Sequence, residues 1–115
     1  MKNSDIVKGH HAGSNSERQF IDGSIRATVP LRSCAIGLGT YNPGWRWSSH
    51  AGEQTGKTSE NHIGYIVTGN MIIKDITGIE TEVGPGDAFE VGPGHDAWVI
   101  GDEPCVALDF IPTLG

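Results

Sequence analysis

The sequence predicts an all-β fold, a small sandwich or barrel, on three observations. Seventeen glycines and six prolines stand in 115 residues, too many for a helical bundle, because these two residues are the least tolerated in helix interiors. From Phe20 onwards short apolar runs recur between Gly, Pro and Asp punctuation, the spacing of many short strands joined by turns. A length of 115 residues, 37% hydrophobic and 19% charged, suits one domain with one packed core and departs from the composition of a disordered chain.

Residues 1–19 are polar and aperiodic and read as a flexible N-terminal arm, leaving 20–115 as the single domain. Strands are expected at 24–29, 34–41, 45–48, 62–68, 71–76, 80–83, 88–91, 97–100 and 105–110, each an apolar run closed by turn residues. No helix is expected. Thr68-Gly69-Asn70 is short enough for a hairpin, Asp75 to Gly78 reads as a second turn, and Gly101-Asp102-Glu103-Pro104 closes a third. These turns imply a local meander. The long irregular stretch from Ser49 to Asn61 is the first place to look for a site, because loops of that length are uncommon in compact domains unless they are functional.

Eight basic against fourteen acidic residues give a net charge of −6, the wrong sign for binding nucleic acid by neutralising phosphates. No apolar stretch approaches the roughly 18 residues of a membrane span or the core of a signal peptide, so a cytoplasmic protein without a membrane partner is expected. Cys34 and Cys105 lack C-x-x-C spacing and lie in apolar runs, which favours buried thiols over a disulfide framework or a zinc knuckle. No serine or cysteine stands in a hydrolase motif with histidine and carboxylate.

The segment from Gly84 to His95 (GPGDAFEVGPGH) resembles the second motif of the cupin superfamily, G-x5-P-x-G-x2-H-x3-N, with Gly86 and Gly94 in register. Pro43-Gly44 followed by His62-Ile63-Gly64-Tyr65-Ile66-Val67-Thr68-Gly69 resembles the first motif, G-x5-H-x-H-x3/4-E-x6-G. The wording from Gly94 to Pro104 (GHDAWVIGDEP) is also similar to a group of small, uncharacterised bacterial cupins. The resemblance spans residues 43–110. It implies a double-stranded β-helix, a jelly-roll-like antiparallel barrel holding a ligand at its mouth, and a homodimer in which the arm adds a strand to its neighbour.

In the family, two histidines and a glutamate of the first motif join a histidine of the second to hold a divalent metal. Counting back from Gly69 places His62 at the glutamate position and Thr58 and Gly56 at the two histidine positions. Counting on from Gly94 places Ala97 at the second-motif histidine and Gly101 at its asparagine. By this register one ligand-capable residue of four survives. A second register starts at Gly44 and puts His50 at the first histidine position, from which His50, Glu53 and Glu60 join His62 and His95 around Zn, Mn, Fe or Ni.

Strand alternation sets His62, Gly64, Ile66 and Thr68 on one face, and Ala97 with Val99. A pocket of His62, Thr58, Ile66, Thr68, Ala97 and Val99 is then mostly apolar with few polar groups, the composition of a small-molecule site. Plainer roles stand beside these: His62 as a hydrogen-bonded core histidine, His95 as half of a turn pair with Asp96 or a cap on the barrel rim, and His50, His10 and His11 as solvated side chains. Trp45 and Trp47 share a strand face and serve the core, an interface or the pocket. The leading expectation is a small-molecule-binding cupin, acting as sensor, carrier or metal-independent catalyst with a dismantled metal site. The alternative is a metal-dependent oxygenase, isomerase or lyase using His50, His62 and His95. A third is a homodimeric interaction module with its tryptophans at the interface and its barrel plugged by Phe89, Trp98 and Phe110. Alternation leaves open whether Glu90 and Asp109 face inward.

Overall fold

Antiparallel pairing accounts for every strand in the computed structural model, which describes residues 4–14, 16–52 and 59–112. The strands are β1 (Arg18–Gln19), β2 (Ile25–Pro30), β3 (Cys34–Tyr41), β4 (His62–Thr68), β5 (Asn70–Lys74), β6 (Glu80–Val83), β7 (Ala88–Val91), β8 (Asp96–Ile100) and β9 (Cys105–Pro112). They form a larger sheet in the order β1-β2-β3-β9-β4-β7 and a smaller one in the order β6-β5-β8. Between the sheets lies a core built on Tyr41, Trp45, Ile66, Met71, Val99 and Cys105. Among the described residues no helix is long and apolar enough to cross a membrane.

Several local expectations change. The stretch 45–48 forms no strand: Arg46 makes one isolated bridge to Trp98, and Trp47–Gly52 is a single π-helical turn. Asp96 causes the departure, since its carboxylate accepts the Ser48 amide at 3.0 Å, the Ser48 hydroxyl at 2.8 Å and Arg46 Nε at 3.0 Å, drawing the backbone out of a ladder. Thr68-Gly69-Asn70 is a corner between the sheets rather than a hairpin, because β4 and β5 lie in different sheets. Gly69 has φ of +77°, and a Cβ there would strike the Pro104 carbonyl, so only glycine makes this corner. Nor is the topology a local meander, for β9 is inserted between β3 and β4.

The end of the N-terminal arm joins the larger sheet through β1, which pairs with β2. The rest returns across the outside of that sheet: Gly9 lies against Val29, and His11 Nε2 is 2.8 Å from the Ile36 carbonyl. His11 is therefore half-buried and partnered, whereas His10 is exposed. Both cysteines are free thiols; Cys105 is buried and Cys34 half-buried.

Candidate functional site

The inner face of the larger sheet carries a lane of glycines. Gly37 and Gly64 flank Asp109 on the neighbouring strands, and a Cβ at Gly37 would lie 3.2 Å from both the Arg26 guanidinium and Asp109 Oδ2. Gly39 leaves room for the Tyr41 ring, which a Cβ there would strike. The missing side chains let Arg26 reach across β3 to Asp109. Arg26 Nε donates to Asp109 Oδ2 at 2.8 Å, with a second guanidinium nitrogen at 2.7 Å. His62 Nε2 lies 2.6 Å from the other carboxylate oxygen, Oδ1. Asp109 is only 3% exposed, so this is a buried carboxylate held between a guanidinium and an imidazole, with the Tyr41 ring buried beside them.

The cluster forms one side of a cavity of about 760 Å³ between the sheets. Trp45, Trp47, Phe89, Met71, Ile73 and Ala97 supply apolar wall, and His62 and His95 supply polar atoms. The two imidazoles meet edge to face with ring centroids 5.8 Å apart, and His62 stacks on Phe89 at 5.9 Å. Each imidazole has one nitrogen committed. Asp109 fixes His62 with its proton on Nε2, and the Gly92 carbonyl, 2.9 Å from His95 Nδ1, fixes the proton there. In their neutral forms His62 Nδ1 and His95 Nε2 then remain as lone-pair acceptors, with no partner among the described residues. The Trp45 indole N–H is buried and has no partner among the described residues.

Burial by itself would raise the Asp109 carboxyl, but the His62 hydrogen bond and the charges of His62 and Arg26 outweigh it and hold the group below its ordinary value. Burial lowers His95, and the neighbouring His62 adds to that effect against the opposing pull of the Gly92 carbonyl and Asp96. Tyr41 is pushed up, first by burial and then by the Asp109 charge, so its phenol stays protonated. Burial also lifts the Cys105 thiol to about 11, which leaves it a poor nucleophile.

Of the pocket residues read from the sequence, His62 and Ala97 line the cavity. Ile66 and Val99 are buried in the core and form no part of its wall. Thr68 is exposed, because the β4–β9 register shifts between Ile66 and Thr68, and such a shift turns the following side chains over. Thr58, Gly56 and Glu53 lie outside the described residues. His95 faces His62 inside the cavity and does not cap the rim. His50 does not line the cavity: the Arg46 amide donates to its Nδ1 at 2.9 Å, and its ring stacks on Trp45. Glu90 points outward and accepts from Asn61, while Asp109 points inward. The tryptophans serve the cavity and the small sheet, with Trp98 lying under Arg46 at 4.2 Å. Of the three expected plugs, only Phe89 lies at the cavity. Arg26 and Tyr41 are site residues that sequence reasoning did not find, and Asp109 is one whose direction it left open.

The family resemblance implies a divalent metal, and the described donors do not gather around a common point. Among the described residues no group of three or more His, Cys, Asp or Glu side chains converges on a point. Both Asp109 oxygens are occupied, and the charge beside them is the guanidinium of Arg26, which opposes a second cation.

No family model and no curated protein matches the chain. Solved structures do. A protein of unknown function from Vibrio parahaemolyticus superposes with a TM-score of 0.63 at 15% identity, covering 82% of this chain and 94% of that one. The KdgF protein of Halomonas gives 0.61 at 20% identity over 85% of this chain and 88% of its own. A cupin-superfamily sugar phosphate isomerase from Silicibacter pomeroyi gives 0.63 at 16% identity, covering 85% and 71%. The fold is that of the cupins. At these identities the likeness carries the architecture alone, so what this domain does rests on its own cavity.

Proposed function

We propose that this cupin domain binds a small organic molecule in the cavity between its sheets, independently of metal, with His62 as the principal polar contact. The observation that carries the reading is the His62–Asp109–Arg26 network at the wall of a cavity of about 760 Å³. That volume, and apolar walls with a few placed polar groups, are what ligand sites of this size have in common. His62 Nδ1 and His95 Nε2 accept from a ligand hydroxyl or amide, and the Trp45 N–H donates to a ligand oxygen. An imidazole oriented by a buried carboxylate is also the arrangement of a general base, so the same contact serves a carrier, a sensor or a catalyst of proton transfer. The neighbour from Silicibacter pomeroyi, a sugar phosphate isomerase, puts hydroxylated compounds first among those to be tried.

The test is a thermal-shift screen of a metabolite library on wild type and His62→Ala, with hits followed by quenching of Trp45 and Trp47 emission. The reading expects hits that quench wild type and lose at least tenfold in affinity in His62→Ala. A ligand that binds both proteins equally would overturn it. Plasma mass spectrometry on protein purified without chelators accompanies the screen, and one equivalent of transition metal per chain would remove the metal-independent part.

A further inference from the structure

One arginine at the cavity has no counter-charge. Arg26 and Arg46 are paired with Asp109 and Asp96, and Arg32 holds the Asp5 carbonyl. Arg18, on β1 at the end of the arm, has neither a hydrogen bond nor an ion pair with any described residue. Register turns it inward. Arg18 pairs with Arg26, Arg26 with Gly39, and Gly39 with Ala107, and Arg18, Arg26 and Ala107 all line the cavity. Two guanidiniums therefore rise side by side from directly opposed positions, an arrangement that destabilises a strand pair. Breaches of a local rule of this kind gather at functional sites. Asp109 answers Arg26, and among the described residues nothing answers Arg18. In a chain of net charge −6, an unanswered cation at the cavity is a feature for a ligand to satisfy.

We propose that Arg18 is the anion contact of this cavity and that the ligand is a hydroxycarboxylic acid, its carboxylate on Arg18 and its hydroxyl on His62. The inference rests on the reading of the cavity as a ligand site and adds the class of ligand and a residue that selects it. A carboxylate suits the position better than a phosphate. The guanidinium offers a planar fork that takes a carboxylate through two parallel hydrogen bonds, whereas the exposed Glu60, also at the cavity, opposes a second negative charge. Glu17, next to Arg18 in the chain, does not neutralise it, because its carboxylate turns back to the arm and accepts the Gly13 amide at 3.3 Å. The hydroxyl end follows from the far wall. β4 lies four places from β1 in the sheet order, at most about 19 Å away at about 4.8 Å per strand. A ligand reaching both Arg18 and His62 lies along the apolar wall of Trp45, Met71 and Phe89, with His62 Nδ1 open to accept from its hydroxyl.

The test is titration calorimetry with aliphatic and aromatic hydroxycarboxylic acids of graded length, each beside its own primary amide. The proteins are wild type, Arg18→Gln, His62→Ala and Lys74→Gln, the last removing an exposed cation on the small sheet. Wild type and Lys74→Gln are expected to bind an acid about tenfold more tightly than its amide, the usual worth of a charge-assisted contact. Arg18→Gln should bring that preference down to less than about threefold, while His62→Ala weakens acid and amide together and keeps the preference. An amide that binds wild type as tightly as its acid overturns the proposal, as does a preference that survives in Arg18→Gln or a panel in which no acid binds; in each case neutral ligands that depend on His62 leave the cavity reading standing. An acid preference that needs Arg18 but ignores His62→Ala overturns the role given to His62 and keeps the anion contact.

Discussion

Asp109 and His95 set how the site responds to acid, each with a definite sign. Burial lowers His95, so the folded chain keeps a neutral ring where the unfolded chain takes up a proton, near pH 6.5. Stability therefore falls as pH drops below about 6.5, until the folded ring titrates as well. Asp109 is held below its ordinary value despite its burial; its contribution is complete above the unfolded carboxyl value of about 3.9 and is lost as pH falls through the lower folded value. Asp96, lowered by Arg46 and Ser48 against its own burial, shares that second stage. We expect the melting temperature to fall in two stages between pH 7.5 and 3. His95→Gln should flatten the upper stage, and Asp109→Asn should cost about 2–4 kcal/mol at pH 7 by stranding Arg26; an upper stage that survives in His95→Gln would assign it to another histidine. His62 was legible in the sequence because motif spacing singles it out. Asp109 was not, since Cys105, Ala107 and Asp109 alternate with Val106, Leu108 and Phe110, and a strand apolar on both faces has no polar side to mark the outside. The available signal was Gly37, Gly39 and Gly64, small residues on the strands flanking β9 that leave room for a polar side chain to cross.

Turn chemistry made most strands readable, because Gly, Pro and Asp punctuate them and φ above zero is a local demand. Strands 34–41, 62–68, 80–83 and 88–91 lie where that punctuation puts them. The π-helical turn at Trp47–Gly52 was out of reach, for its determinant, Asp96, stands 48 residues from Ser48. The same distance hid the corner at Gly69, where local residues announce a turn but not which sheet each flank joins. Asp96 thus governs an element that carries a cavity wall, Trp47, by holding Ser48 through two hydrogen bonds and Arg46 through a third. Asp96→Ala removes all three acceptor contacts, on a side chain that is partly solvated. We expect a loss of about 1–2 kcal/mol in urea unfolding, together with a red-shifted emission from Trp47 as its backbone loosens. A full loss of stability with unshifted emission would mean that the turn holds without Asp96 and that the cavity wall is independent of it.

At the scale of the molecule, the homodimer that the cupin resemblance implies would couple stability to association. If two copies join, native chains are dimers and unfolded ones are not, so mass action makes melting depend on chain concentration. A tenfold rise in concentration adds about 1.4 kcal/mol per dimer, or about 0.7 per chain. For a domain of this size that should raise the melting temperature by about 2–4 °C. Calorimetry at 5, 50 and 500 µM (about two decades) reads this, and it separates association from intrinsic stability in a way that one melt cannot. A wild type whose midpoint ignores concentration, while it sediments as a dimer, would show that the dimer dissociates before the barrel unfolds. The interface would then contribute to assembly but not to the cooperative unit that encloses His62 and Asp109.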